Sequence, residues 1–286
     1  MVQQSHSQIE TEPQQNWHGN LSLVYARTEN GTQLIRNQCQ APLLVQRPFY
    51  PEGKNVCHSV ILHTAGGVVG GDRLSCYFHL QPHAQVLITT AAAGKIYRSN
   101  GLPARQTVEI QIDADAGLEW LPRETIVFNK ALYRQDLRVE LATGAFLLSW
   151  EITRFGRTAR GEKFLQGDWR SRTEIWRQGK PLWIDRQWLP ASDKIFHSPH
   201  GLNGQAIAGS LVWIQKAVSQ DFVTKVRQLA GYGVGEVGVT RLEHGFLCRY
   251  RGSSTAEVRN WFISVWQLVR GCFLDRAVCI PRVWQI

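Results

Sequence analysis

The stretch Asp72-Arg73-Leu74-Ser75-Cys76-Tyr77-Phe78-His79-Leu80-Gln81-Pro82-His83-Ala84-Gln85-Val86-Leu87-Ile88-Thr89 decides the fold. Its first half alternates polar and apolar residues with the two-residue period of a strand that buries one face. Gln81-Pro82-His83 then supplies a turn, and a second strand follows the small residue Ala84. Two other segments align with it: Gln106 to Leu121 around Asp113-Ala114-Asp115, and Gln135 to Ser149 around Ala142-Thr143. The turns recur about every thirty residues, a period typical of stacked supersecondary units. A fourth, degraded copy runs from Thr173 through Gln178-Gly179-Lys180-Pro181 to Leu189. The expectation is a mainly β fold, a helix-like, β-solenoid-like stack of two-strand units, each burying its apolar face on its neighbours. An ordinary antiparallel meander is the competing arrangement.

The pattern changes after Asp193. Phe196 to Gly204 has turn composition, and Ala206 to Ile214 reads as a strand. Asp221 to Leu229 has helical spacing, with Phe222, Val223, Val226 and Leu229 along one side. Ser253 or Ser254 caps a second helix carrying Val258, Trp261, Phe262, Val265, Trp266 and Leu268-Val269 as an apolar stripe. Val237 to Thr240 and Gly245 to Tyr250 read as a hairpin between the two α-helices of this C-terminal third. With no Pro/Ser-rich linker in between, residues 17 to 286 are expected to form one β-rich domain, behind a Gln- and Ser-rich tail at residues 1 to 16.

Composition narrows the class. The 286 residues carry a formal charge of +9. Residues 151 to 190 concentrate it, with nine Lys/Arg against five Asp/Glu. That balance suits a solvated surface or one that docks an acidic protein. Nucleic acid is not expected as a partner, because neither a basic tail nor zinc-finger spacing accompanies the charge. Six cysteines without a C-x-x-C pair fit a reducing compartment. The N-terminal residues lack the charged-then-apolar pattern of a secretory signal or membrane anchor, so a cytoplasmic protein is expected.

His63-Thr64-Ala65-Gly66-Gly67-Val68-Val69-Gly70-Gly71-Asp72 precedes the first repeat and is the chain's densest glycine run. It fits neither the dinucleotide loop nor the P-loop, since strand-like sequence follows it instead of a helix. Glycine pairs serve positive φ or the close approach of another backbone. Gly66, Gly67, Gly70 and Gly71 are therefore read as a backbone device that places the carboxylate of Asp72. Cys57, His58, His63, Cys76, His79 and His83 lie close enough in sequence to raise zinc, nickel or copper. Their spacing does not close a site: Cys57 and His58 face opposite ways on a strand, and Pro82 blocks a helical His79/His83 pair. A structural zinc, a weak metal contact, and ordinary core or surface groups all stay open, and no tight metal site is expected. Glu119, Glu124 and Glu151 sit beside large apolar residues, where partial desolvation lets a carboxylate hold a proton, a metal ion or an arginine. For Glu119 the plainer reading is an exposed strand residue paired with an arginine.

His63 to Leu74, Leu87 to Thr90 with Lys95 to Ser99, and Leu118 to Phe128 together resemble the UreD (UreH) family of urease accessory proteins. Trp150-Glu151-Ile152, Phe155-Gly156-Arg157, Gly161-Glu162 and the closing Pro281-Arg282-Val283-Trp284 continue the resemblance in order. Departures are Thr64-Ala65 where the family often has two prolines, and Asn129 where it often has an acid. The resemblance implies a β-rich stack of strands with two α-helices and a maturation factor without catalytic activity of its own. It implies binding to UreF, which recruits the GTPase UreG, and docking of the assembly on urease apoprotein so that nickel reaches the active site. No cofactor would be tightly bound; nickel would pass transiently, through an internal passage for which Asp72, Glu124, Glu151 and His63 are the candidate residues. A conduit needs weak ligands, since closed tetrahedral ligation would trap the ion. Two other readings compete: a β-solenoid polysaccharide hydrolase or lyase built on Asp72, Glu124 and Glu151, and a basic nucleic-acid-binding β protein.

Overall fold

In a computed structural model, residues 16–231 and 235–284 are described. The expected tail at residues 1 to 16 lies outside them but for Asn16. The chain starts with a hairpin of β1 (His18–Thr28) and β2 (Gly31–Gln40), then β3 (Leu43–Val45) and β4 (Cys57–His63). Coils follow: β5 (Arg73–Leu80), β6 (Gln85–Thr90) and the short β7 (Gly94–Ile96); then β8 (Ala104–Ile112), β9 (Gly117–Leu121) and the short β10 (Thr125–Val127). In the next, β11 (Leu132–Leu141) leads to β12 (Phe146–Phe155), whose last residues pair with β10. The predicted turns do not make hairpins. Each carries the chain from one sheet to another, so like strands of successive coils pair in parallel.

The fourth repeat departs from that expectation. β13 (Asp168–Arg177) joins β11 in parallel, but β14 (Lys180–Pro190) folds back on β13 antiparallel and stays in the same sheet. Gln178 and Gly179 both take positive φ, the backbone of a tight hairpin turn rather than of a corner. The stack is thereby closed by antiparallel strands at both edges of its first sheet, whose order is β14-β13-β11-β8-β5-β1-β2.

The second sheet contains β3, β4, β6, β9 and β12, and is extended by β15 (Ile207–Ile214), β17 (Gly245–Gly252) and β16 (Glu236–Leu242), all antiparallel. β16 and β17 are the expected hairpin. Helices α1 (Asp193–His197), α2 (Gln220–Gln228) and α3 (Thr255–Val269) complete the chain's main elements. The single-turn α1 falls where the sequence reads as turn, started by the Ser192 side chain accepting from the Ile195 amide at 3.2 Å.

Three layers explain the two kinds of strand. The first sheet has one dry face and alternates, as β5 does between exposed Arg73, Ser75 and Tyr77 and buried Leu74, Cys76 and Phe78. The second sheet is covered on both sides, so its strands are buried without alternation, as Gly117–Leu121 is along its whole length, Glu119 included. One core fills the space between the sheets. Another lies between the second sheet and the helices, where Leu87, Leu148, Trp150 and Trp213 meet the α3 stripe. Val258, Trp261, Phe262, Val265, Trp266 and Val269 are all buried there. Burying a side chain of this kind yields about 1.5–3 kcal/mol, far more than helix propensity supplies. Ser254 is the cap: its hydroxyl accepts from the Glu257 amide at 3.3 Å.

Candidate functional site

Alternation along the coils also builds the site. A chamber of about 480 Å³ opens between the sheets, lined from the first by Gln106, Gln135 and Ser171 and from the second by Ser149, Glu151 and Ser210. Register places Gln106 beside Gln135 and Gln135 beside Ser171 on adjacent parallel strands, so inward polar residues form one row. Gln135 Nε2 donates to Ser171 Oγ at 3.3 Å, and Ser171 Oγ donates to Glu151 Oε2 at 3.0 Å. Thr153 Oγ1 donates to the other Glu151 oxygen at 3.3 Å. Burial pushes the Glu151 carboxyl up to about 7; the Ser171 hydroxyl opposes the shift and the nearby Asp185 charge adds to it. Beyond it Arg249 donates to Asp185 and to Ser210, each at 2.6 Å, extending the polar track.

Glycines shape one rim of this chamber. Val68 bridges Ile96 in parallel, β7 pairs β10, and β10 pairs the end of β12, so the short return strands stack as a third face. A Cβ on Gly67 would lie 2.4 Å from the Tyr97 ring and 2.8 Å from the Lys95 carbonyl oxygen; one on Gly70 would lie 2.6 Å from the Leu102 oxygen. Both are close backbone crossings. Gly71 takes φ +93°, whereas Gly66 has only the Tyr97 hydroxyl at 3.9 Å. Gly67→Ala is expected to cost about 1–3 kcal/mol and Gly66→Ala within about 0.5 kcal/mol; urea denaturation of the two variants checks the contrast.

The four candidate residues separate. Glu151 and His63 line the chamber, and His63 Nδ1 lies 3.1 Å from the Ala65 carbonyl oxygen. Asp72 is buried beneath the glycine run, where its two oxygens accept the Trp17 amide at 3.0 Å and the Val69 amide at 2.9 Å. Through the Val69 amide the carboxylate holds the run's own turn. Glu124 faces α3, paired with Arg259 and lying 3.8 Å from Arg123. Neither Asp72 nor Glu124 is among the chamber-lining residues.

The cysteines and histidines near β4 and β5 are dispersed. His58 Nε2 meets Glu52 at 2.5 Å, His79 meets Asp113 at 2.7 Å, and His83 lies 3.9 Å from Asp115 in the turn of the next coil. Burial pushes the Cys76 thiol up to about 12. Among the described residues no group of three or more His, Cys, Asp or Glu is placed to hold a metal ion. Asn129 does what an acid there would do as acceptor: its Oδ1 takes the Leu165 and Gln166 amides, each at 2.9 Å.

Sequence reasoning missed a buried ionic cluster behind the second sheet. Glu119, expected exposed, is 1% exposed, because its strand is covered by helices on that face. Its Oε2 accepts from Trp266 Nε1 at 2.7 Å and from Arg270 Nε and Nη2 at 3.0 and 2.9 Å. The pairing with an arginine was the legible half. Arg270 also reaches Glu52 at 2.5 and 2.9 Å, and stacks over Trp266 at 4.7 Å. Burial alone would raise the Glu52 carboxyl, but His58 and Arg270 hold it down at about 2.

The blocks Ile126–Phe128, Phe155–Arg157 and Glu162 meet beside the paired ends of β10 and β12. Glu162 accepts from Arg157 and from the Asn129 amide, and Arg157 lies 4.6 Å over the Phe128 ring. The family model described as UreD urease accessory protein matches residues 18–285, the whole of this arrangement. The chain belongs to the UreD family of urease accessory proteins. Urease accessory protein UreD of Nostoc sp. (strain PCC 7120) is 73% identical over 269 residues, covering 94% of this chain and 96% of the relative. That of Trichormus variabilis is 72% identical over 275 residues, 96% and 98% of the two chains. At greater distance, Urease accessory protein UreD of Synechocystis sp. is 41% identical over 261 residues, 90% and 96% of the two. Membership of the UreD family places the protein in urease maturation. Among the described residues no helix is long and apolar enough to cross a membrane.

Proposed function

We propose that this chain is the scaffold that joins UreF and the GTPase UreG to urease apoprotein, and that nickel crosses it through the chamber between the sheets. The observation that carries the reading is Glu151 in that chamber, facing the polar row of Gln106, Gln135 and Ser171. A carboxylate poised near neutrality exchanges a proton for a divalent ion readily. Hydroxyls and amides around it replace part of the ion's water without closing a cage. His63 lines the same chamber and offers a second weak ligand. Asp72 and Glu124 act by holding the walls. The chain contributes no catalytic step of its own, and works in the cytoplasm with its partners.

A hydrolase reading needs two carboxylates flanking one substrate bond. Asp72 is spent on backbone amides and Glu124 on arginines, whereas Glu151 stands in the interior. The maturation reading is tested by expressing urease subunits, UreF and UreG with and without this chain. Nickel-loaded, active urease is expected only with it. Full activation in its absence overturns the proposal.

A further inference from the structure

Parallel register has a second consequence, on the outer face of the first sheet. Arg73 of β5 pairs with Arg105 of β8, Arg105 with Arg134 of β11, and Arg134 with Arg170 of β13. All four stand on the outward-facing positions of their strands, so they form a ladder with rungs about 4.8 Å apart. Trp188 of β14, 62% exposed, ends the row beside Arg170 and stacks under its guanidinium at 5.0 Å. Arg172 and Arg186 stand opposite one another in the next row.

Like charges directly opposite on neighbouring strands destabilise a sheet. Asp136 relieves one step, accepting from Arg105 at 3.0 Å and from Arg134 at 2.9 Å. Asp168 orients the end of the ladder, accepting from Arg170 at 2.8 Å and from Trp188 at 2.6 Å. The side chains are thus set in place, while the row as a whole keeps an excess of positive charge that packing of the fold does not require.

We infer that this ladder is a docking surface for an acidic protein, whose carboxylates lie across the strands and meet successive arginines. The apolar surface around the ladder favours protein over nucleic acid. Trp188, Tyr77 and Ile184 are exposed there, and arginine mixed with aromatic residues is the composition of energetically dominant protein contacts. Arginine's fork pairs carboxylates in two-point fashion, which a row of fixed guanidinia repeats at each rung.

This inference stands apart from the nickel passage, and its test needs no urease. The full chain is compared with a ladder variant, Arg73→Glu/Arg105→Glu/Arg170→Glu, and with a control of equal charge change, Arg27→Glu/Arg47→Glu/Arg241→Glu, at exposed positions elsewhere. Poly-L-glutamate and duplex DNA of about 20 base pairs are the two probes, each titrated at rising salt. The wild-type chain is expected to bind poly-L-glutamate more tightly than DNA, the ladder variant to lose at least about tenfold, and the control to stay within about twofold. Equal losses in ladder and control variants overturn the inference, because net charge alone then explains binding. Tighter binding of DNA, lost in the ladder variant, overturns it in favour of nucleic acid. Circular dichroism confirms that each variant is folded; should the reversal unfold the chain, Arg→Gln at the same positions repeats the comparison.

Discussion

Replacing Arg270 by methionine is expected to lower the unfolding free energy by about 3–5 kcal/mol, the usual cost of breaking a buried ion pair from one side. Arg270 is fully buried, and it is the shared partner of Glu119 and Glu52, whose side chains are 2% and 10% exposed. Methionine fills much of the volume, so the loss is mainly electrostatic: two carboxylates remain without their cation. Urea denaturation measures it. Adding Glu119→Gln to the Arg270→Met variant is expected to recover part of the loss, since a neutral amide costs less to bury than an unpaired carboxylate. No recovery would mean that Arg270 acts through packing alone. The cluster also predicts a pH dependence. The folded-state value of Glu52, about 2, lies below its unfolded one. Its contribution is therefore complete above the ordinary carboxylate range and is lost as pH falls from there towards 2, and Glu52→Gln removes that acid-side slope.

Glu151→Gln is expected to leave the partner assembly intact while nickel-dependent urease activation falls at least about tenfold. A unit charge pair 4 Å apart is worth about 4 kcal/mol at an effective dielectric of 20, and each 1.4 kcal/mol is about tenfold in occupancy. The amide keeps the shape and the contact with Ser171, so a fall in activation with normal assembly isolates the charge. Activation at the wild-type rate would remove Glu151 from the passage. Stability supplies an independent readout. Burial raises the Glu151 carboxyl to about 7, so between the ordinary carboxylate range and pH 7 the folded chain holds a proton that the unfolded chain has released. Stability should fall as pH rises through that window and level off above it, and the glutamine variant should lose this slope.

The candidate site was half legible. Glu151 stands out in sequence by following Trp150, His63 by its place in the Cys/His cluster, and both line the chamber. Gln106, Gln135 and Ser171 do not stand out, although each occupies an inward position of an alternating strand. A polar residue there signals a wet interior only once the strands are known to pair in parallel and in register. Asp72 and Glu124 carried the right neighbours and face other partners, because a carboxylate goes to the nearest unpaired amides or guanidinium, and local sequence does not show which these are.

Sequence by itself determined the coil. Alternation sets which face of each strand is buried, and a turn at a fixed interval followed by a small residue sets the repeat. Both depend on residues within a few positions of one another. It also determined α3, whose stripe and Ser254 cap are local. Tertiary structure decided what required distant partners. Gln178 and Gly179 ended the stack with a hairpin instead of a fourth corner. Trp261 and Trp266 became core because the second sheet offered them an apolar face. Glu119 was buried against Arg270, 151 residues away in the chain. Register turned scattered arginines into a ladder and scattered amides into a polar row. Short-range patterns fix strands and turns because steric and hydrophobic preferences act residue by residue; which charges meet depends on where the closed chain brings them.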